Sequence, residues 1–285
     1  MTPVSFDVQL IFLFLGKLNM SSTQSTQNPA HAIVDARQRT GFIEQFPTPI
    51  AADLETAYAY QDTAIDMVEE KIVGWKIGRI VGDDVEKYGT DRLFGPIFES
   101  KIYHDKNEVT SAPVFSKGFA AVESEIIFEV AADTPADKTE WTTQEAIDYI
   151  ANAYVGIEVA SSPFTGINDN GPLVTITDLG NNYGLIVGEP IEDWKSLDCE
   201  KWTFDTLIEG EVIGTGNAAG IPGTPVESLR ALLENTAKRG RPLKKGMLIT
   251  TGAVTGVHSV KVGQAAIARF QNKVEIACTF KAQNL

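Results

Sequence analysis

The stretch Ala121-Val-Glu-Ser-Glu-Ile-Ile-Phe-Glu-Val130 sets Glu123 and Glu125 two positions apart in an apolar run rich in β-branched and aromatic residues. Such a run reads as a strand, and residues two apart on a strand share a face. Two like charges side by side on a buried face repel and are costly to desolvate. A divalent cation compensates them directly. Magnesium and manganese take carboxylate oxygens and keep further positions for water or substrate. Taken alone, a Glu-x-Glu pair more often marks an edge strand with a wet acidic face. Two further segments change that balance. Tyr154-Val-Gly-Ile-Glu-Val-Ala160 carries one acid, Glu158, inside another apolar strand, and Gly74-Trp-Lys-Ile-Gly78 carries one cation, Lys76. An acid buried without a partner is expensive, whereas a third carboxylate completing a metal-binding set is not anomalous. Four charges in apolar contexts read as one buried polar site.

The elements that must position these residues come in a telling order. Gly74-Trp-Lys-Ile-Gly, Phe94-Gly-Pro-Ile-Phe, Val122-Glu-Ser-Glu-Ile, Gly156-Ile-Glu-Val, Asp178-Leu-Gly-Asn-Asn-Tyr-Gly184 and Leu243-Lys-Lys-Gly-Met-Leu-Ile-Thr-Thr-Gly-Ala253 follow one another along the chain. In that order they resemble the 2-keto-4-pentenoate hydratases and 4-oxalocrotonate decarboxylases of the fumarylacetoacetate hydrolase superfamily, from about Ile33 to Phe280. The resemblance implies that Glu123, Glu125 and Glu158 bind Mg or Mn and that Lys76 lies beside the substrate. It also implies substrate-binding roles for Asp178, Asn181 and Asn182. Thr251 and Gly252 could present a hydroxyl and amides to a substrate carboxylate. The family commonly has an aspartate just after the Phe94 motif. Here Glu99 is the nearest acid, one position early, and is the candidate catalytic partner of Lys76, while Ser100 takes the usual place. Many hydratases carry a histidine where Thr224 stands.

Composition narrows the class further. The 285 residues suffice for one large domain, or one domain with a small cap. A net charge of −14 argues against a nucleic-acid partner. Cys199 and Cys278 show no metal-ligand spacing and read as reduced residues of a cytoplasmic protein, with a disulfide between them left open. None of His31, His104 and His258 lies in a metal motif, and the chain has no G-x-S-x-G elbow, zinc H-E-x-x-H or phosphate-binding P-loop pattern.

Along the chain, residues 1–29 read as a disordered leader. The apolar run Leu10–Leu15 is too short to span a membrane, and residues 1–19 read as a start-site artefact ahead of Met20. Residues 30–72 are expected to form a helical N-terminal cap, with helices from Ala30 to about Thr40 and from Asp53 to Lys71. Residues 73–285 are expected to form a β-rich catalytic domain. Within it, Arg79 to Arg92 reads as a loop over the site. Thr142-Thr-Gln-Glu145 opens a helix to about Asn152, Val174–Thr177 reads as a strand, and Val212 to Pro225 reads as a glycine-rich loop. Hairpins are expected at Glu209-Gly210 and at Gln271-Asn272. Without regular βαβ repeats, a doubly wound fold is disfavoured. The fold class is α+β, a rolled, mixed β sandwich of the fumarylacetoacetate hydrolase type.

The expected activity is hydration of a 2-oxo-4-enoate by a metal-dependent lyase, since a metal with open positions polarises the carbonyl of a chelating 2-oxo acid. Decarboxylation of a 2-oxo-enedioate and hydrolysis of a C–C bond use the same chemistry and remain open. So does a metal-stabilised binding protein without catalysis, because of the changes at Glu99, Ser100 and Thr224. The expected partners are a small 2-oxo acid and, by resemblance, further copies of the chain, with no nucleic acid and no membrane.

Overall fold

A computed structural model describes residues 28–106 and 108–284. The start-site reading and nearly all of the leader lie outside these residues. The chain opens with α1 (Ala30–Asp35), which continues as a π-helical turn over Ala36–Thr40, and α2 (Leu54–Met67). The Asp53 side chain caps α2 by accepting from the Thr56 amide at 2.8 Å. Then come β1 (Ile72–Arg79), α3 (Asp83–Tyr88), β2 (Arg92–Phe98), β3 (Ile102–His104), β4 (Thr110–Val114) and β5 (Phe119–Val130). The middle of the chain supplies α4 (Thr143–Asp148), β6 (Ile150–Ser162), α5 (Pro172–Thr177) and β7 (Asn182–Pro190). It ends in β8 (Thr203–Ile208), β9 (Glu211–Asn217), α6 (Thr224–Lys238), β10 (Leu248–Thr250), β11 (His258–Ser259), β12 (Ala265–Phe270) and β13 (Val274–Ala282).

Two sheets form the body. The larger runs β2-β1-β10-β5-β6-β7-β3, with β11 added to β5, and the smaller runs β4-β13-β12-β8-β9. Both mix parallel and antiparallel pairs, as the α+β roll requires. The centre is the long antiparallel pair β5–β6, in which Glu123 stands directly opposite Glu158. Period-two alternation divides β5 between two environments. Val122, Ile126, Phe128 and Val130 join the main core with Phe204, Ala268 and Phe270 of the smaller sheet. Ser124, on that same face, hydrogen-bonds the Thr206 hydroxyl of β8 at 2.6 Å. Glu123 and Glu125 therefore project to the other side. The N-terminal helices share the main core, through Ala30, Val34, Tyr58 and Ile65.

Several local expectations are corrected. Val174–Thr177 lies in α5, not in a strand: Gly171 turns in at φ 79° and Pro172 occupies the first helical turn, where its fixed φ and missing N–H cost nothing. Here the apolar, β-branched residues reflect burial rather than an extended backbone. The expected loop between Arg79 and Arg92 contains α3, bracketed by Gly82 and Gly89 with φ near 65°. The capping box of Thr142 and Glu145 is present, but its helix stops at Asp148 because β6 begins at Ile150. The first half of the expected glycine-rich loop is β9. Both hairpins form where expected, with Glu209, Gly210, Gln271 and Asn272 all at positive φ. Cys199 and Cys278 are both free and buried.

Candidate functional site

The site rests on β1, β5 and β6 of the larger sheet and on the turn that covers them. Glu123 and Glu125 come from β5 and Glu158 from β6. One oxygen of each lies within 4.8 Å of the others. Glu125 and Glu158 are wholly buried, and Glu123 is 5% exposed. Lys76 on β1, 4% exposed, reaches into the cluster and places its ammonium 3.5 Å from Glu158 Oε1. The strands flanking the β5–β6 pair, β10 and β7, add hydrogen bonds to Glu158: Thr250 Oγ1 donates to Oε2 at 3.3 Å and Asn182 Nδ2 to Oε1 at 3.1 Å. The Gly252 amide donates to Glu125 Oε2 at 2.8 Å, whereas Glu125 Oε1 is buried without a partner.

One ammonium cannot balance three carboxylates in this space. Burial, then the Glu158 charge, pushes the Glu123 carboxyl up to about 7, against the pull of Lys76. Burial, Glu158 and Glu123 push Glu125 well above the usual carboxylate range. Burial pulls the Lys76 ammonium down, but the three carboxylates together outweigh it and raise its pKa. The cluster therefore has the donor set of a hard divalent cation: several carboxylate oxygens, one of them orphaned, and an excess of negative charge. The residues fit such an ion.

Beside the cluster lies a cavity of about 520 Å³ whose wall includes Lys76, Glu123, Asn181, Arg79 and Asp84. The Leu179–Asn181 turn closes one side of it. Gly95, which faces Lys76 across the β1–β2 pair, lets that turn approach: a Cβ there would come within 2.7 Å of the Gly180 Cα. Asn181 is buried with its Oδ1 unpartnered.

The structure brings Lys76, Glu123, Glu125, Glu158, Asn181 and Asn182 together. It does not bring in Glu99. That residue sits in an exposed 3-10 turn beyond β2, with its amide on the Lys71 carbonyl, at the far end of the β1–β2 pair from the cavity. The chain turns out of the sheet directly after Phe98, so an acid one position early never faces the site. Asp178 is likewise engaged elsewhere, in a buried ion pair with Arg37 at 2.7 Å. Thr251 donates its hydroxyl to the Ile126 carbonyl at 2.9 Å, and Gly252 spends its amide on Glu125. Both line a small adjoining cavity of about 50 Å³. These two residues build the wall and orient a carboxylate, rather than presenting free donors.

Sequence reading passed over Thr250, Arg37, Arg79 and Asp84. Arg79 and Asp84 have a signal, since the stretch from Arg79 to Arg92 reads as lying over the site. Thr250 and Arg37 have none: a threonine in a short strand and an arginine in a helical turn are ordinary residues until their neighbours are known.

No protein-family model matches the chain. Among proteins of curated function, the 2-keto-4-pentenoate hydratase of Burkholderia vietnamiensis is 27% identical over 232 residues, covering 80% of this chain and 86% of that protein. A 4-oxalocrotonate decarboxylase of a Pseudomonas species is 27% identical over 153 residues, 53% of this chain and 57% of that one. Among solved structures, the 4-oxalocrotonate decarboxylase of Pseudomonas putida G7, complexed with magnesium and adipate, superposes with a TM-score of 0.71 at 22% identity, covering 88% of this chain and 95% of that one. Structures described as fumarylacetoacetate hydrolase family proteins or related hydrolases superpose as well, at lower scores. The chain is a homologue of the 2-keto-4-pentenoate hydratases and 4-oxalocrotonate decarboxylases, and its fold is that of the fumarylacetoacetate hydrolase family.

Proposed function

We propose that this protein is a divalent-metal-dependent lyase that adds water to a 2-oxo-4-enoate such as 2-keto-4-pentenoate. The observation that carries the reading is the convergence of three buried carboxylates and one buried lysine at the wall of a substrate-sized cavity. Glu123, Glu125 and Glu158 would hold Mg or Mn. Such an ion supplies Lewis acidity to a chelating 2-oxo carboxylate.

The rest of the chemistry belongs to the chain. Lys76 keeps its proton, because the carboxylates outweigh its burial, so it serves as a fixed positive charge and hydrogen-bond donor rather than as a base. From the wall it stabilises negative charge that grows on the substrate oxygens. The orphaned Asn181 Oδ1 accepts a hydrogen bond from a substrate hydroxyl or an attacking water. Glu99 lies outside the cavity wall, and Asp84, which lines it, would be the carboxylate that exchanges protons with the substrate.

A second reading has its own support. Arg79 lines both cavities and makes no ion pair among the described residues. An unpaired guanidinium suits the far carboxylate of a dianion, which favours decarboxylation of a 2-oxo-enedioate. Among the described residues no helix is long and apolar enough to cross a membrane. Exposed Val212 and Ile213 on the edge strand β9 agree with self-association.

The deciding experiment follows a 2-hydroxydienoate and a 2-oxo-enedioate spectrophotometrically with purified protein, with and without Mg or Mn. Metal-dependent loss of the dienoate without CO2 release supports hydration. CO2 release from the enedioate replaces it with decarboxylation. No turnover of either leaves a metal-binding protein without this activity.

A further inference from the structure

Arg37 touches neither the carboxylates nor the cavity wall, yet most of what shapes one side of the site hangs on it. It lies in the π-helical turn after α1, 141 residues before its partner Asp178. Its Nε donates to Asp178 Oδ1 at 2.7 Å. Its Nη2 donates to Asp178 Oδ2 at 3.1 Å, to the Asp178 carbonyl at 3.0 Å and to the Ser161 carbonyl at 3.2 Å. Its Nη1 donates to the Asn182 carbonyl at 3.0 Å. The guanidinium also lies 5.7 Å from the Phe115 ring centre and 6.0 Å from that of Tyr183. The two charged side chains are 8% and 1% exposed.

A buried ion pair of this kind is poor evidence for stability by itself, because desolvation offsets its attraction. Its use is better read from what it fixes. Between the two backbone carbonyls that Arg37 holds, those of Asp178 and Asn182, run Leu179, Gly180 and Asn181 at φ 56°, 68° and 64°. Leu179 and Asn181 are side-chain-bearing residues held in the left-handed region, a conformation that persists only where its surroundings over-determine it. This turn packs on Gly95 beside Lys76, puts Asn181, with its unpartnered Oδ1, in the cavity wall, and delivers Asn182 to Glu158. The Ser161 carbonyl ties the same guanidinium to β6, three residues beyond Glu158.

We infer that Arg37 is a positioning residue: its fork on Asp178 and on the carbonyls at both ends of the turn holds Asn181 and Asn182 in working position. The N-terminal helical segment is thereby part of the active site's construction. Lysine has the charge but not the fork. The inference rests on the proposed reading of the site, so it is tested on two independent readouts.

The first readout is turnover by Arg37→Lys, Asn181→Ala and the double variant, at saturating metal and well below melting. Arg37→Lys should lose at least tenfold in kcat, and the double variant should be little worse than Asn181→Ala, since both changes remove one function. Guanidinium ion should restore part of the kcat of Arg37→Gly. Folded Arg37→Lys with undiminished kcat, or fully additive losses, would overturn the inference. The second readout is Mn2+ affinity by calorimetry, which needs no turnover. Arg37→Lys should bind Mn2+ several-fold more weakly through the loosened Asn182–Glu158 contact, and unchanged affinity would overturn the inference as well. Absence of turnover in the unaltered protein would instead defeat the proposed activity, and the Mn2+ measurement would then decide the role of Arg37.

Discussion

At the scale of single residues, the site is a problem of charge before it is one of catalysis. Glu123 and Glu158 face each other across one strand pair, Glu125 is next on the same face, and Lys76 supplies the one cation paired with them among the described residues. Replacing any of the three glutamates by alanine should weaken Mg or Mn binding by roughly 10- to 100-fold or more. Titration calorimetry checks this, and unchanged affinity in all three variants would put the metal elsewhere. Lys76→Met keeps much of the apolar stem and removes the charge. It should leave metal affinity within a few-fold, because a protonated lysine has no lone pair to ligate with. It should lower kcat by roughly 10²-fold, about 3 kcal/mol of transition-state stabilisation. Near-normal kcat at saturating metal would remove Lys76 from the mechanism and leave the carboxylate set standing.

At the scale of elements, what was legible in the sequence follows from the range of each signal. The alternation that puts Glu123 and Glu125 on one face is a local property of a strand, so it could be read directly. The partnership of Asp178 with Arg37 spans 141 positions, and nothing local to Asp178 separates a clamp from a substrate ligand. Val174–Thr177 misled because β-branched residues are chosen there for burial, and only Gly171 and Pro172 just ahead mark a helix start. Gln61 shows the same limit. Alone it reads as a surface glutamine on α2, yet it is wholly buried. Its amide donates to the Phe94 and Ile176 carbonyls at 2.8 and 2.7 Å, and its carbonyl accepts from Arg239 at 2.8 Å. It thus ties α2 to β2, α5 and the end of α6. Gln61→Leu conserves size but strands three buried polar groups, and should cost about 2–4 kcal/mol. Thermal or denaturant unfolding measures this, and a loss below about 1 kcal/mol would mean that water replaces the amide.

At the scale of the whole molecule, the carboxylate cluster couples stability to pH and to metal together. In metal-free protein the folded state holds Glu123 protonated up to about pH 7, and Glu125 is raised as well, both chiefly by burial. The unfolded chain releases the same protons near the ordinary value of 4.5. Between those limits the folded state binds more protons than the unfolded one, so stability falls as pH rises. Below the lower limit both states are protonated, and for Glu123 the loss is complete once pH passes its folded value. A divalent cation takes the place of those protons, binds the folded site preferentially and stabilises it by mass action. The gain in melting temperature on adding Mg should therefore grow from about pH 5 to about pH 8, with protons released on binding. Glu123→Gln, which cannot ionise, should flatten the pH dependence of the metal-free protein. Melting curves in chelator and in excess Mg across that range measure both effects. A metal-induced gain that is constant with pH would show that the carboxylates are already ionised without the metal, and would separate the ion's contribution from relief of their burial.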